Sequence, residues 1–331
     1  MKMLISFLCF SLLVFGFKYW NNHKNNSKNP PLNQKESPME THCFGRFLMD
    51  LPSDTKIIEN YISLGAKVKT FSSITLKEFQ NKVSNRQKVL QNSMHNNGDS
   101  LFVDRDDISS HHITLTSWSS KAGKRIYRYD EYQYLPESQT MFYFISEGTA
   151  TPENRAKAAE NQRKFSQLNH YRPSSEIPQK PGLCICEGFI EYNKMNKEVM
   201  SVGFSFPNRP TVRMWIETFT TRYDTDVPPL PRSFGDILRK KRYKWNGKEA
   251  TEFLYKFKDD GQWFYEFTLK VSSSGESLIH PYMTISLQAG DFNYENQERI
   301  KPFSNDKEAL EFWDSIVKNV RIRPGAVIDS Q

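Results

Sequence analysis

The sequence predicts an α+β protein of two domains, each an antiparallel sheet with flanking helices, behind an N-terminal hydrophobic segment. Three observations lead there. The chain has 331 residues, more than one small core holds and enough for about two domains. Short apolar runs of strand character recur with tight turns between them, the pattern of antiparallel strands. A proline-rich, apolar-poor stretch, His170 to Gly182 (HYRPSSEIPQKPG), splits these runs into two sets. Aromatic residues make up 14% of the chain, which argues against disorder over most of its length.

The first residues differ from the rest. Met3 to Phe17 (MLISFLCFSLLVFGF) is apolar and is followed by Lys18-Tyr19-Trp20. As a helix it reaches only about 22 Å, nearer a signal-peptide core than a full membrane span. Val14-Phe15-Gly16 is a poor cleavage site, so an uncleaved anchor with interfacial Tyr19 and Trp20 is favoured over a cleaved signal. Asn21 to Glu40 is polar and carries prolines, as a flexible tether does. The expected organisation is therefore 1–20 signal peptide or membrane anchor, 21–41 tether, 42–169 N-terminal domain, 170–182 linker and 183–325 C-terminal domain.

In the first domain, Cys43 to Met49 reads as a short strand stopped by Pro52. Ile57 to Ile62 and Ala66 to Phe71 follow, turning at Gly65. Thr75 and Glu78 have capping-box spacing. The helix they open carries Leu76, Phe79, Val83, Leu90 and Met94 near a helical period and stops at Asn96-Asn97-Gly98. Leu101 to Ile108, His112 to Trp118, Arg125 to Tyr134 and Thr140 to Ser146 form a meander. Thr151-Pro152-Glu153 opens a second helix, running to Leu168.

In the second domain, Leu183 to Tyr192, Val199 to Phe206 and Val212 to Thr220 read as strands. Thr221 to Ser233 is a proline-stiffened loop, and Phe234 to Lys240 reads as a short helix. Lys241 to Trp245 and Glu249 to Phe257 flank Asn246-Gly247, the strongest hairpin signal in the chain. Trp263 to Val271 and Tyr282 to Gln288 complete the sheet. Ser304 caps a last helix whose Leu310, Trp313, Ile316, Val317 and Val320 share a face. The halves echo one another: each opens on a cysteine-bearing strand, and each closes on an arginine-proline pair, Tyr171-Arg172-Pro173 and Ile322-Arg323-Pro324.

Little of this carries chemistry. There is no Gly-x-Ser-x-Gly, phosphate loop, dinucleotide fingerprint or His-Glu-x-x-His. His111-His112 would point to opposite strand faces. Asp104, Asp106 and Asp107 lack the glycine and distal glutamate of a calcium loop. No metal, cofactor or catalytic residue is expected. Net charge is +7 and the pI about 9.0, with Arg239-Lys240-Lys241-Arg242 the densest basic run. It reads as a solvated surface, and strand aromatics read as core, so nucleic acid is not an expected partner. Of four cysteines, Cys43 with Cys184 is the expected disulfide and Cys43 with Cys186 the second choice. On these residues alone, an exported binding protein is favoured over an enzyme.

His42-Cys43-Phe44-Gly45-Arg46-Phe47-Leu48-Met49-Asp50-Leu51-Pro52 resembles the opening of immunity proteins cognate to type VI secretion phospholipase effectors. Lys180-Pro181-Gly182-Leu183-Cys184 with Gly188 resembles the start of their second domain. His280-Pro281 with Ser286-Leu287-Gln288-Ala289-Gly290 is similar to their late strand, and Asp306 to Pro324 to their closing helix and tail. The matches keep family order from Cys43 to Pro324. The resemblance implies a two-domain periplasmic protein that binds a phospholipase effector and neutralises it sterically, at its active site or lid, without catalysis. The inner membrane is a second partner if the N-terminal segment is uncleaved. The alternative is an exported envelope scaffold or binding protein for another ligand. As a contact, the loop Thr221 to Arg232 with Arg222 and Tyr223 is the candidate.

Overall fold

A computed structural model describes residues 37–221, 235–259, 261–273, 275–293 and 298–328. The expected signal or anchor and nearly all of the tether lie outside them. Two hairpins open the body: Met39–Phe44 (β1) with Phe47–Pro52 (β2), and Lys56–Ser63 (β3) with Ala66–Phe71 (β4). Helix Leu76–Asn92 (α1) leads to a meander of Phe102–Ser109 (β5), His112–Ser120 (β6), Gly123–Leu135 (β7) and Thr140–Thr149 (β8). Helix Pro152–Phe165 (α2) and the short strand Asn169–Tyr171 (β9) close this half.

The second half begins with a hairpin, Leu183–Ile185 (β10) and Gly188–Ile190 (β11). Val199–Phe206 (β12), Arg209–Phe219 (β13), Asp236–Trp245 (β14), Lys248–Asp259 (β15), Gln262–Val271 (β16) and Tyr282–Gly290 (β17) follow. A small pair, Phe292–Asn293 (β18) and Glu298–Arg299 (β19), precedes helix Asp306–Asn319 (α3), and Arg321–Ile322 (β20) ends the fold. The protein is α+β, with two domains built alike.

The two sheets are continuous. Twelve strands run in the order β14-β15-β16-β17-β13-β12-β3-β4-β8-β7-β6-β5. Read outward from the middle, β12-β13-β17-β16-β15-β14 repeats β3-β4-β8-β7-β6-β5. The halves meet where β12 and β3 pair antiparallel, Ser205 against Lys56 through Val199 against Ile62. In the first half α1 covers one face, burying Phe79, Val83 and Leu90 against Ile113, Leu115, Tyr132, Tyr134 and Met141. The opposite face carries α2, where Thr114 donates to Gln162 at 3.1 Å and Gln133 to the Ser166 carbonyl at 2.8 Å. In the second half α3 packs on that same face through Trp313, fully buried and edge-on to Phe267.

The local signals explain the elements. Thr75 and Glu78 form both arms of the capping box on α1. Asn246 and Gly247 take φ of +47° and +80°, as a two-residue hairpin loop requires. Six readings are corrected. Cys43 to Met49 and Leu183 to Tyr192 are each a tight hairpin, turning at Gly45-Arg46 and Cys186-Glu187. Strand β1 starts at Met39, inside the expected tether, and β9 occupies the start of the expected linker. The helix expected over Phe234 to Lys240 starts outside the described residues, and from Asp236 onward the chain is instead β14, where a bulge between Ile237 and Arg239 breaks the two-residue period that would mark a strand. The cap of α3 is Asn305, whose side chain accepts from the Glu308 amide at 3.0 Å.

Candidate functional site

The two tight hairpins meet over the junction of the halves. Gly45 takes φ of +56°, and a Cβ there would lie 2.8 Å from the Met200 Sδ, so glycine both makes the turn and lets β12 approach. The Gly45 amide donates to the Cys184 carbonyl at 2.9 Å, and the Cys184 amide returns the bond at 2.7 Å. Beside this bridge Cys43 and Cys184 form a disulfide with Cα atoms 5.8 Å apart, closing 141 residues of sequence. Both cysteines are buried.

The closing strands are exchanged between halves. Strand β20, from the end of the second domain, pairs with β2 of the first. Strand β9, from the end of the first, pairs with β11 of the second. Three buried arginines fix the exchange. Arg46 forks onto Glu198 at 2.8 and 2.7 Å and also donates to the carbonyls of Ala326 and Tyr192. Arg172 donates to the carbonyls of Gly188, Ile185 and Glu176 at 3.2, 3.1 and 2.8 Å. Arg323 donates to those of Pro178, Lys180 and Gly182 and lies over the Phe189 ring. Burial, with Arg46 and Arg172 nearby, pulls the Arg323 pKa down to about 10. Backbone carbonyls replace the water that a buried guanidinium loses.

This brace lies on one face of the sheet; on the opposite face no helix of the described residues covers the junction. Cross-strand partners share a face, so Ile58, Gly203 and Trp215 form one row across β3, β12 and β13. Ile58 is 46% exposed, and the half-buried Trp215 ring lies over Gly203, where a Cβ would meet it at 3.3 Å. Polar rows flank this apolar strip: Asn60, Ser201 and Glu217 on one side, Lys56, Ser205 and Arg213 on the other. An apolar centre with a polar rim is how a protein-binding surface is built.

The other sequence candidates fall elsewhere. Arg222 and Tyr223 lie outside the described residues. His111 and His112 do not combine: His111 packs edge-on to Tyr134, while His112 is buried against Glu131 at 2.8 Å. Asp104, Asp106 and Asp107 are taken by Arg155, Arg163 and Arg105. Cys186 sits exposed in its turn; desolvation, then the Glu59 and Glu187 carboxylates, push its thiol up to about 11, which makes it a poor nucleophile at neutral pH. The sequence reading passed over Arg46, Arg172 and Arg323 as clamps, although the paired arginine-proline tails had marked two of them. It also passed over Trp215, which alternates in its strand as a core residue does.

The comparisons with known proteins agree on one family. The sequence model of the Tle cognate immunity protein 4 N-terminal domain matches residues 40–164, and that of the C-terminal domain matches residues 176–325. A chain from the crystal structure of the Tle4–Tli4 complex is 27% identical, with TM-score 0.75, covering 88% of this chain and 99% of that one. The apo structure of the immunity protein TplEi of the type VI secretion system from Pseudomonas aeruginosa is 26% identical, with TM-score 0.72 over 89% and 99% of the two chains. The same protein complexed with "L" peptide gives TM-score 0.69 at 26% identity, over 88% and 100%. No curated protein matches the sequence. With both domain models matched in order and the fold shared over nearly its whole length, the chain belongs to the Tle cognate immunity protein 4 family.

Proposed function

We propose that this chain is a periplasmic immunity protein that binds a type VI secretion phospholipase effector and neutralises it by steric blockade, covering the active site or holding the lid. The observation that carries this reading is the likeness, over almost the full length of both chains, to a chain of the Tle4–Tli4 complex. The protein acts by occupying a surface and has no catalysis of its own. The brace holds the two sheets in one fixed relation, and the Ile58–Trp215 row offers an apolar anchor set in a polar rim. Such a surface gives tight binding through a few desolvated side chains rather than through area.

The test is reconstitution with a purified Tle4-type phospholipase effector. A stoichiometric complex that abolishes hydrolysis of a soluble short-chain phospholipid is the expected result. A purified mixture in which hydrolysis continues at the uninhibited rate would end the proposal. Fractionation of cells, with the protein expected in the periplasm or at the inner membrane, tests the location separately.

A further inference from the structure

Strand β14 sorts its cations by face. Arg239 and Lys241 point to the face under α3, where Arg239 binds Asp314 at 3.0 Å and Glu252 at 2.9 Å, and Lys241 lies 3.2 Å from Glu252. Lys240, Arg242 and Lys244 occupy the other face, opposite Phe253, Thr251 and Glu249. All three are exposed, and none makes an ion pair among the described residues. The bulge at Leu238 brings Ile237 onto this same face, opposite Tyr255, with 52% of its surface exposed. Among the described residues β14 is also the outermost strand of the sheet at this end.

The other end of the sheet shows that this is not a general habit of the fold. Strand β5 is the topological equivalent of β14, and its charged residues are Asp104, Arg105, Asp106 and Asp107. Its carboxylates are each matched by an arginine. One edge is neutralised internally; the other keeps a row of spare positive charge on a chain that is already +7.

We infer that this face of β14 docks on a bilayer bearing anionic phospholipid headgroups. Residues two apart on a strand stand about 7 Å apart, so the row presents its cations along a line that a plane of phosphates can meet all at once. Lysine and arginine stems carry their charge outward to headgroups, and Ile237 at the head of the row reaches the apolar boundary beneath them. Each cation near an anionic membrane adds to partitioning, and the sum falls with salt. Docking here would hold the body at the surface that a phospholipase attacks. It uses a different part of the sheet from the Ile58–Trp215 row.

The body Ser37–Gln331 has its own core and is one unit, so it is tested without the N-terminal segment. It is sedimented with vesicles of phosphatidylcholine alone and with vesicles containing phosphatidylglycerol. The expected result is binding only to the anionic vesicles. Binding is lost at 0.5 M salt and lowered at least about tenfold in the triple variant Lys240→Gln, Arg242→Gln, Lys244→Gln. A thermal melt confirms that the variant is folded, and its inhibition of the effector on a soluble substrate is unchanged. Equal binding to both vesicle types, or equal binding by the folded variant, overturns the inference. So does a variant that loses effector affinity while keeping its vesicle binding, which would make the row a contact for an acidic protein surface.

Discussion

Arg46 holds Glu198 with both arms of its guanidinium across 152 residues of sequence, and neither side chain is more than 5% exposed. One partner sits in the first hairpin and the other just before the first long strand of the second domain. Removing either leaves an unpaired charge in the interior. Arg46→Ala is expected to cost about 3–5 kcal/mol, read as a lower urea midpoint. Replacing both residues by apolar groups is expected to cost less than the single change.

The disulfide acts on the unfolded chain. Closing so long a loop is worth about 5 kcal/mol in the loop-entropy account. Cys43→Ser and Cys184→Ser should each lower the melting temperature, and by the same amount as reduction of the native protein. Cys186→Ser should not. Iodoacetamide should label Cys186 slowly at pH 7 and faster above pH 10, following its raised thiol pKa.

Asp130 gives the acid limb of stability. Burial pushes its carboxyl up, but hydrogen bonds from Arg128, Tyr143 and Arg86 outweigh this and hold it below the usual value. A carboxyl whose folded pKa lies under its unfolded value of about 3.9 stabilises the fold fully above that pH. The contribution disappears as pH falls through the folded value. Asp130→Asn should therefore cost about 3 kcal/mol at pH 7. The denaturation midpoints of variant and native protein should converge as pH drops below about 4.

Trp215 is the side chain on which recognition is expected to turn. Trp215→Ala should raise the effector dissociation constant at least about thirtyfold, the mark of a buried aromatic anchor, measured by calorimetry. Ile58→Asp should do the same by placing a charge in the strip. Melting temperatures should change little, because neither residue belongs to the main cores. Unchanged affinity in both variants would move the contact surface elsewhere.

The exchange of closing strands predicts how the chain divides. A fragment ending after Pro173 keeps β9 but lacks the β10–β11 hairpin that strand covers, and its own first hairpin loses β20. Each half expressed alone should be insoluble or molten. Co-refolding the two should recover a complex with native circular dichroism.

Much of the scaffold was legible in the sequence for identifiable reasons. The meander strands are apolar runs parted by short turns, Thr75 and Glu78 announce α1, and Asn246-Gly247 announces the β14–β15 turn. Only the second half of β14 reads as a strand, because a bulge hides the period of its first half, and Ser304 competes as a cap with its neighbour Asn305, which provides it. Gly45-Arg46 and Cys186-Glu187 lack the Asn-Gly or Asp-Gly pair that marks a two-residue hairpin loop, so each hairpin reads as a single strand. The joining of the halves through β3 and β12 was not legible at all, because nothing in a strand names its distant partner. Arg172 and Arg323 were visible as an echo between the two tails. That each tail serves the opposite half is a fact of topology, which local sequence does not encode. For the same reason Trp215 read as core: alternation says that it faces one side, not whether that side is covered.

The seam between β3 and β12 has a mechanical consequence. Two domains joined by a linker rotate freely and must be frozen when a partner arrives, a loss that subtracts from affinity. Here the joint is itself sheet, laddered from Lys56 to Ile62 against Val199 to Ser205 and clamped from behind by a covalent bond and buried guanidinium forks. To flex there, the molecule must break backbone pairing. It therefore meets its partner already in shape, with little freedom left to surrender. An inhibitor that must act before damage begins gains speed as well as affinity from such preorganisation.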